Sequence, residues 1–241
     1  QRALTAEQAA NTAATEAREA REREAIALAD TRAFFGLARD AINGLVDAAD
    51  EQLADVPQAD AVRRRMLATA LEYYAAMQRR EPRDVDLQID RLIASRRVAQ
   101  LQRQLGEPAK SLATLQQCVA DAAALRAANP DNGALLAASV NIAHAHATTL
   151  TALGRRAEAK QALHKALALL AEARRLPTGS MPDVDAQEAR LLANLAIESD
   201  DDPAAAVGLY EQAFAKLDGA TASPNHTRDR ARMTVDYAVA L

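Results

Sequence analysis

The sequence predicts an all-α fold, in which a long helix precedes helical hairpins that stack into an α-solenoid. Three observations predict it. Hydrophobic residues make up 49% of the 241 residues and aromatic residues only 3%, so a core must be built from closely packed Ala and Leu. The β-branched and aromatic residues that favour strands are sparse. All eight prolines fall between stretches with helical spacing, where proline opens a helix without breaking one.

The stretches between these joints predict nine helices with short connections, which make neighbouring helices antiparallel. The expected helices span residues 5–54, 58–80, 84–105, 108–128, 132–153, 155–175, 183–199, 203–217 and 226–241. Because the helical pattern is still running at Leu241, we expect the chain to be a fragment of a longer protein.

A repeated segment follows three of the joints. The copies begin at Glu107, Arg155 and Asp202 and align without gaps at spacings of 48 and 47 residues. In each copy small and large residues alternate along one stripe of a helix. The aligned columns are Ser111, Ala159 and Ala206; Leu115, Leu163 and Tyr210; Cys118, Ala166 and Ala213; and Val119, Leu167 and Phe214.

The turns of the repeat also follow from the sequence. Gly106 and Gly154 are expected to end a helix in the left-handed conformation, and Pro108 to begin the next. Asp202 is expected to cap the third copy. A hairpin alone leaves apolar surface uncovered, so the copies must stack, which predicts a solenoid with a concave and a convex side.

Composition excludes several classes of function. The net charge of -4 and the dispersed Lys and Arg residues argue against a nucleic-acid groove. No apolar run is long enough to span a bilayer, so we expect no membrane insertion by this segment. Cys118 is the single cysteine, which excludes an internal disulfide and a paired-cysteine zinc site. We expect no cofactor and no metal.

Few side chains suggest chemistry. His144 and His146 point about 200° apart on a helix, whereas a helical metal pair needs a spacing of four residues, so one is expected to line a groove and the other to pack. Cys118 lies in a small-residue column, which favours a buried structural thiol over a nucleophile.

Two exposed patches are possible on the helix predicted at residues 58–80. Tyr73 and Tyr74 with Met77 would form a docking patch, but helical spacing favours core positions for Tyr74 and Met77. The arginines at 63–65 are expected to form a solvated face, with membrane or nucleic-acid contact as the alternative.

The N-terminal segment has two halves. Residues 6–25 hold no large apolar residue, and pairs such as Glu19 with Arg23 predict a solvent-bridging linker helix. A stripe then follows that should pack on residues 58–80 or on a second copy of the chain. It consists of Phe35, Ala38, Ile42, Leu45, Ala49 and Leu53.

In its repeated segments the chain resembles a tetratricopeptide (TPR) array. The family's small-large pattern in the second helix of each unit is matched best by "AVGLYEQAF", from Ala206 to Phe214, and less closely by "QALHKAL" and "SLATLQQCV". The implied organisation is a helical linker at 1–56, a packing helix at 57–82, repeats at 83–130, 131–177 and 182–218, and the truncated start of a further unit at 219–241.

A broader resemblance covers residues 17–175. Runs such as "AREAREREA", "EPRD" and "ANPDN" are similar in order and spacing to the C-terminal region of bacterial eukaryote-like serine/threonine kinases. In that family a kinase domain and a membrane span precede a charged helical segment and TPR units. The resemblance implies a membrane-tethered sensor or interaction region, on the extracytoplasmic side. No kinase catalytic motif occurs in the 241 residues, so we expect this segment not to be an enzyme.

The TPR resemblance also implies a binding surface, because the concave wall of that family is lined by polar positions of each unit's first helix. Counting back from the aligned columns places eight residues there to bind a protein or peptide: Arg96, Gln100, Arg103, Asn141, His144, Thr148, Glu188 and Glu198. The family's carboxylate clamp uses Lys and Asn where this chain has Arg96 and Gln100. Two hypotheses remain open, a kinase interaction region and a free-standing TPR adaptor or assembly scaffold that dimerises through its N-terminal helix.

Overall fold

The computed structural model describes residues 2–47, 60–78, 84–176, 183–199, 201–219 and 226–240. In these ranges the chain is all-helical, with nine α-helices and no strand, which confirms the predicted class. The helices are α1 (Arg2–Asp47), α2 (Asp60–Gln78), α3 (Val85–Gln104), α4 (Pro108–Ala128), α5 (Gly133–Ala152), α6 (Arg156–Ala173), α7 (Val184–Ile197), α8 (Pro203–Gly219) and α9 (His226–Ala240). The predicted end of the first helix, residues 48–54, lies outside the described residues.

The chain divides into two units, residues 1–70 and 71–241. In the first, α1 has 46 residues and is about 70 Å long at a rise of 1.5 Å per residue. The side chains of residues 14–25 are all exposed, as a polar linker helix requires. Arg23 donates through Nε to the main-chain carbonyl of Glu19 at 3.2 Å. The predicted pair is therefore made with the main chain of Glu19 and not with its carboxylate.

The predicted apolar stripe of α1 is described only in part. Ala38 and Ile42 are half-buried. The side chains of the stripe's other members, Phe35, Leu45, Ala49 and Leu53, lie outside the described residues, so the packing of the stripe stays a prediction.

More side chains of the two patches predicted on α2 fall within the described residues. Tyr74 is fully buried, which confirms a core position, and the side chain of Met77 lies outside the described residues. Arg64 and Arg65 are exposed, as expected of a solvated face, and the side chain of Arg63 is not among those described.

In the second unit every helix from α3 to α9 packs on the next one in the chain. The closest associations are within the pairs α3–α4, α5–α6 and α7–α8, and α3 also contacts α5 while α7 contacts α9. Among the described residues, buried side chains of this unit form three clusters. Helix α5 contributes to the first two, and α7 contributes to the second and third. The core therefore continues from one helix pair to the next through α5 and α7.

The first two helix pairs turn in the same way. Gly106 and Gly154 have φ of 84° and 70°, the left-handed conformation predicted for them. The next residue's N–H bonds back to the last helical turn, Glu107 to the Gln102 carbonyl at 2.8 Å and Arg155 to the Leu150 carbonyl at 2.9 Å. This is the Schellman arrangement, which satisfies carbonyls that the helix end would leave unpaired.

The third pair turns differently. Five residues, 198–202, separate α7 from α8, whereas three separate the helices of each earlier pair. Asp202 caps α8 as predicted, its carboxylate accepting from the Ala205 N–H at 3.1 Å. The pairs are therefore alike in their second helices and unlike in this connection.

The aligned columns are where the helices meet. All members of the first three columns are buried, and the fourth column, Val119, Leu167 and Phe214, is half-buried. The hydroxyls of Ser111 and Thr149 lie 3.2 Å apart in the interior between α4 and α5. Small side chains at these positions bring a neighbouring helix close enough for such short contacts.

The turn geometry yields a test. We expect Gly154→Ala to lower the free energy of unfolding by about 1–2 kcal/mol, because a Cβ is strained at a positive φ even though no atom lies within 4 Å of it. Gly208→Ala is the matched control, since Gly208 lies inside α8 with equal open space around it and should gain about 0.5–1 kcal/mol. Urea unfolding measures both. Equal effects of the two substitutions would contradict the strained turn.

Candidate functional site

Polar side chains of α3, α5, α7 and α9 line two adjoining cavities of about 170 and 220 Å³. The first lies between α3 and α5, and the second is lined from α5, α7 and α9. His144 and Thr148 line both cavities, so the two cavities adjoin at these side chains. We call the two cavities together the polar groove.

Six of the eight residues predicted from the sequence line the polar groove: Arg96, Gln100, Arg103, Asn141, His144 and Thr148. The structure places Glu188 and Glu198 elsewhere. Glu188 accepts from Arg174 at 2.5 Å and from Lys216 at 3.1 Å. Glu198 is buried and accepts from the Thr151 hydroxyl. Neither lines either cavity of the groove.

The longer α7–α8 connection explains this displacement. Counting back from α8 as from α6 ignores two extra residues, and two residues turn a helix by about 200°. The count therefore reaches the wrong face of α7. When the C-terminal ends of α5 and α7 are aligned instead, Ala145 corresponds to Arg190 and Thr149 to Asn194, and all four residues line the groove. Alignment at the helix ends therefore predicts the groove-lining residues of α7, whereas the spacing of the aligned columns does not.

The sequence pattern also did not predict that α9 supplies part of the wall of the polar groove. Asp229, Arg232 and Asp236 line the α7–α9 part of the groove. Arg190 donates to Asp229 at 3.0 Å, and Arg232 lies 3.8 Å from Asp236. At this end of the groove the basic side chains thus have acidic neighbours.

The α3 end carries uncompensated positive charge. Arg96 and Arg103 lie seven residues apart on one face of α3, with Gln100 between them. Neither guanidinium group makes a hydrogen bond or ion pair with another residue of the described ranges. Burial, followed by the charge of Arg97, lowers the pKa of Arg96 to about 10, so it stays protonated at neutral pH but lacks an anion. This end can accept a negatively charged group.

His144 holds the middle of the groove in a neutral form. Burial lowers its pKa to about 4, assisted by the charges of Arg190, Arg96 and Arg232. The Asn194 amide nitrogen lies 2.5 Å from Nε2 of His144. The amide donates to this nitrogen, which places the ring proton on Nδ1. His144 therefore adds no charge to the groove at neutral pH.

His146 and Cys118 lie outside the groove. His146 lines a separate cavity on another face of α5, as the 200° separation from His144 predicts. Cys118 is buried, its thiol directed at the Leu92 carbonyl at 3.5 Å, and burial raises its pKa to about 12. The prediction of a structural thiol is confirmed, since a thiol so protonated is a poor nucleophile.

In the described ranges, no group of three or more His, Cys, Asp and Glu side chains is arranged to hold a metal ion. No helix there combines the length and apolarity needed to cross a membrane.

Comparison with protein-family models, with curated proteins and with solved structures gives no match to the chain.

The neutral state of His144 predicts a pH dependence of stability. Its folded pKa of about 4 lies below the usual value of 6.5, so between these values the unfolded chain binds the extra proton. The free energy of unfolding should therefore fall as the pH is lowered from 6.5 to 4, with a contribution from His144 of roughly 3 kcal/mol. The measurement is urea unfolding at several pH values.

Substituting His144 separates its contribution to the pH dependence of the free energy of unfolding from the contribution of the carboxylates. His144→Gln should lose less stability than the parent over the same pH range, whereas His164→Gln, at an exposed position of α6, should follow the parent curve. Burial also lowers the pKa of His146, so some slope should remain in the His144 variant. Parallel curves for parent and His144→Gln would contradict a buried neutral His144.

Proposed function

We propose that this chain is a TPR-like α-solenoid that binds a protein or peptide ligand in the polar groove and performs no catalysis. The order of packing supports this architecture. From α3 to α9 each helix contacts the next, the pairs share buried small-residue columns, and α9 continues the series by packing on α8 and α7. Such an array presents a long surface built from the first helix of each pair, and the groove lies on these helices.

The unpaired arginines of α3 carry the proposal of a ligand class. An extended peptide with acidic side chains, or a chain terminus, would place a carboxylate between Arg96 and Arg103. Gln100 and the exposed Asn141 supply neutral hydrogen-bonding groups beside it. Because charge-assisted bonds to carboxylates are about twice as strong as neutral ones, the α3 end should determine which ligands bind.

We further propose that the segment is the interaction region of a bacterial serine/threonine kinase. The support is the resemblance of residues 17–175 to the C-terminal region of such kinases, and the exposed polar side chains of residues 14–25 suit a linker between a membrane span and a ligand-binding array. On this proposal the catalytic domain lies outside the 241 residues, and the groove faces the extracytoplasmic side.

The adaptor alternative draws support from α1. Ile26, Phe34 and Leu37 are 56%, 69% and 74% exposed. Their positions fall within about 80° on the helix, so they form one apolar face. A second copy of the chain would cover this face with its own, as in a two-fold symmetric dimer. The same face is compatible with a kinase that dimerises.

The groove proposal predicts charge-selective binding. On a peptide array with acidic, basic and neutral sequences of equal length, the parent should retain acidic peptides, and Arg96→Glu/Arg103→Glu should bind them about 100-fold more weakly, since each lost charged bond costs about tenfold. Lys110→Glu/Arg175→Glu makes the same change of net charge at exposed positions outside the groove and should bind as the parent does. Undiminished acidic binding by a folded groove variant would refute the proposal.

The dimer alternative predicts an oligomeric state. By sedimentation velocity, a dimeric parent should become monomeric with Phe34→Glu/Leu37→Glu, because charges would be buried in the apolar contact. Ala25→Glu, an exposed position on the side of α1 opposite Phe34, should stay dimeric. A parent that is monomeric at every concentration would remove this alternative.

A further inference from the structure

A cavity with a volume of about 460 Å³ lies apart from the polar groove. It falls in the range of small-molecule sites, about 300–1,000 Å³. The cavity opens between α4 and α6 over α5, and we call it the apolar cavity. Most of its wall is aliphatic, including Val119, Ala122, Ile142, Ala143 and Leu169.

One buried polar atom in this wall lacks a partner. Nε2 of His146 is inaccessible to solvent and makes no hydrogen bond with any described residue. Leaving such a nitrogen unpaired costs stability, so native structures nearly always satisfy it. Burial, followed by the charge of Lys165, lowers the pKa of His146, which favours the neutral ring. Lys165 and His146 both line the apolar cavity.

A lysine in the cavity lining also lacks an anionic partner. Glu158 in the wall is bound by Arg155 at 2.6 Å, and Arg126 pairs with Glu172 at 3.5 Å. The ammonium group of Lys165, an exposed residue of the lining, makes no ion pair or hydrogen bond with another residue of the described ranges. A ligand with a single negative charge would balance this lysine.

An ion pair lies further along the same helices. Arg126 of α4, which lines the cavity, pairs with Glu172 of α6 and so joins the two helices that flank the cavity. Glu172 follows Lys165 by seven residues, about 10 Å along the helix. Because most of the cavity wall is aliphatic, the cavity suits an apolar chain of limited length.

We propose that the apolar cavity binds a medium-chain aliphatic monocarboxylate, with the carboxylate at Lys165 and His146 and the alkyl chain extended between α4 and α6 toward Arg126. An extended chain advances about 1.2 Å per bond, so about eight carbons fill the 10 Å available. The site is independent of the polar groove, because it lies on another face of α5 and shares no lining residue with it.

The test is calorimetric titration of the whole chain with straight-chain carboxylates from butanoate to dodecanoate. The association constant should rise about fourfold for each added methylene up to about octanoate, and then level off where the alkyl chain reaches the Arg126–Glu172 ion pair. Octanol and octylammonium, which have the same chain without the negative charge, should bind at least tenfold more weakly. Absence of saturable octanoate binding, equal binding of octylammonium, or a rise that continues unchanged to dodecanoate would overturn the proposal.

Variants locate the site. Lys165→Gln should weaken octanoate binding about tenfold, since it removes a charge-assisted hydrogen bond, while Lys110→Gln on the exposed face of α4 should leave it unchanged. Ala143→Leu should block the cavity. Because Ala143 is buried and a larger side chain there also strains the core, Ala123→Leu at the exposed rim is a second blocking variant, with circular dichroism confirming that each variant is folded.

Octanoate binding in the apolar cavity can be tested independently of peptide binding in the polar groove. Arg96→Glu/Arg103→Glu should bind octanoate as the parent does, whatever its effect on peptides. Octanoate binding that is unchanged in all three cavity variants, or lost in the groove variant alone, would contradict the assignment to this cavity.

Discussion

Close approach of helices at small side chains is the constraint on which the second unit depends. Ala159, Ala166 and Ala213 are completely buried, and a larger side chain at any of them would push apart two helices that share a core cluster. With 3% aromatic residues, the chain has few large side chains to fill a wider gap. Dense packing of Ala and Leu therefore both permits and requires the short separations between α4, α5 and α6.

The same packing positions the polar groove and the apolar cavity. Because α4 and α6 both pack on α5, the side chains of α5 that do not meet them face α3, α7 and α9. His144 and His146, two residues apart, consequently line different cavities with different chemistry. His144 lines the polar groove, whose walls are charged and hydrogen-bonding. His146 lines the apolar cavity, whose wall is mostly aliphatic and includes Lys165.

Much of the fold could be predicted from the sequence because its signals are local. Pro108 and Pro203 begin helices, Gly106 and Gly154 end them, and the burial of the repeated columns follows from helical spacing. The groove residues of α3 and α5 could be counted from those columns, since both pairs turn through three residues. Glu188 and Glu198 were misplaced because the third connection is longer, and a column spacing does not reveal the length of a turn. The contribution of Asp229 and Arg232 depends on how α9 packs, which no local pattern encodes.

The central position of α5 has a consequence for how this sequence can change over evolution. Ten of its twenty residues are buried, against five of twenty-one in α4. Its remaining side chains include some that line the polar groove and the apolar cavity. Few substitutions in α5 would be neutral, because nearly every side of the helix meets either another helix or a cavity. We expect residues 133–152 to diverge slowly among descendants of this chain, while the exposed residues 14–25 of α1 drift freely in sequence and retain only their helical and polar character.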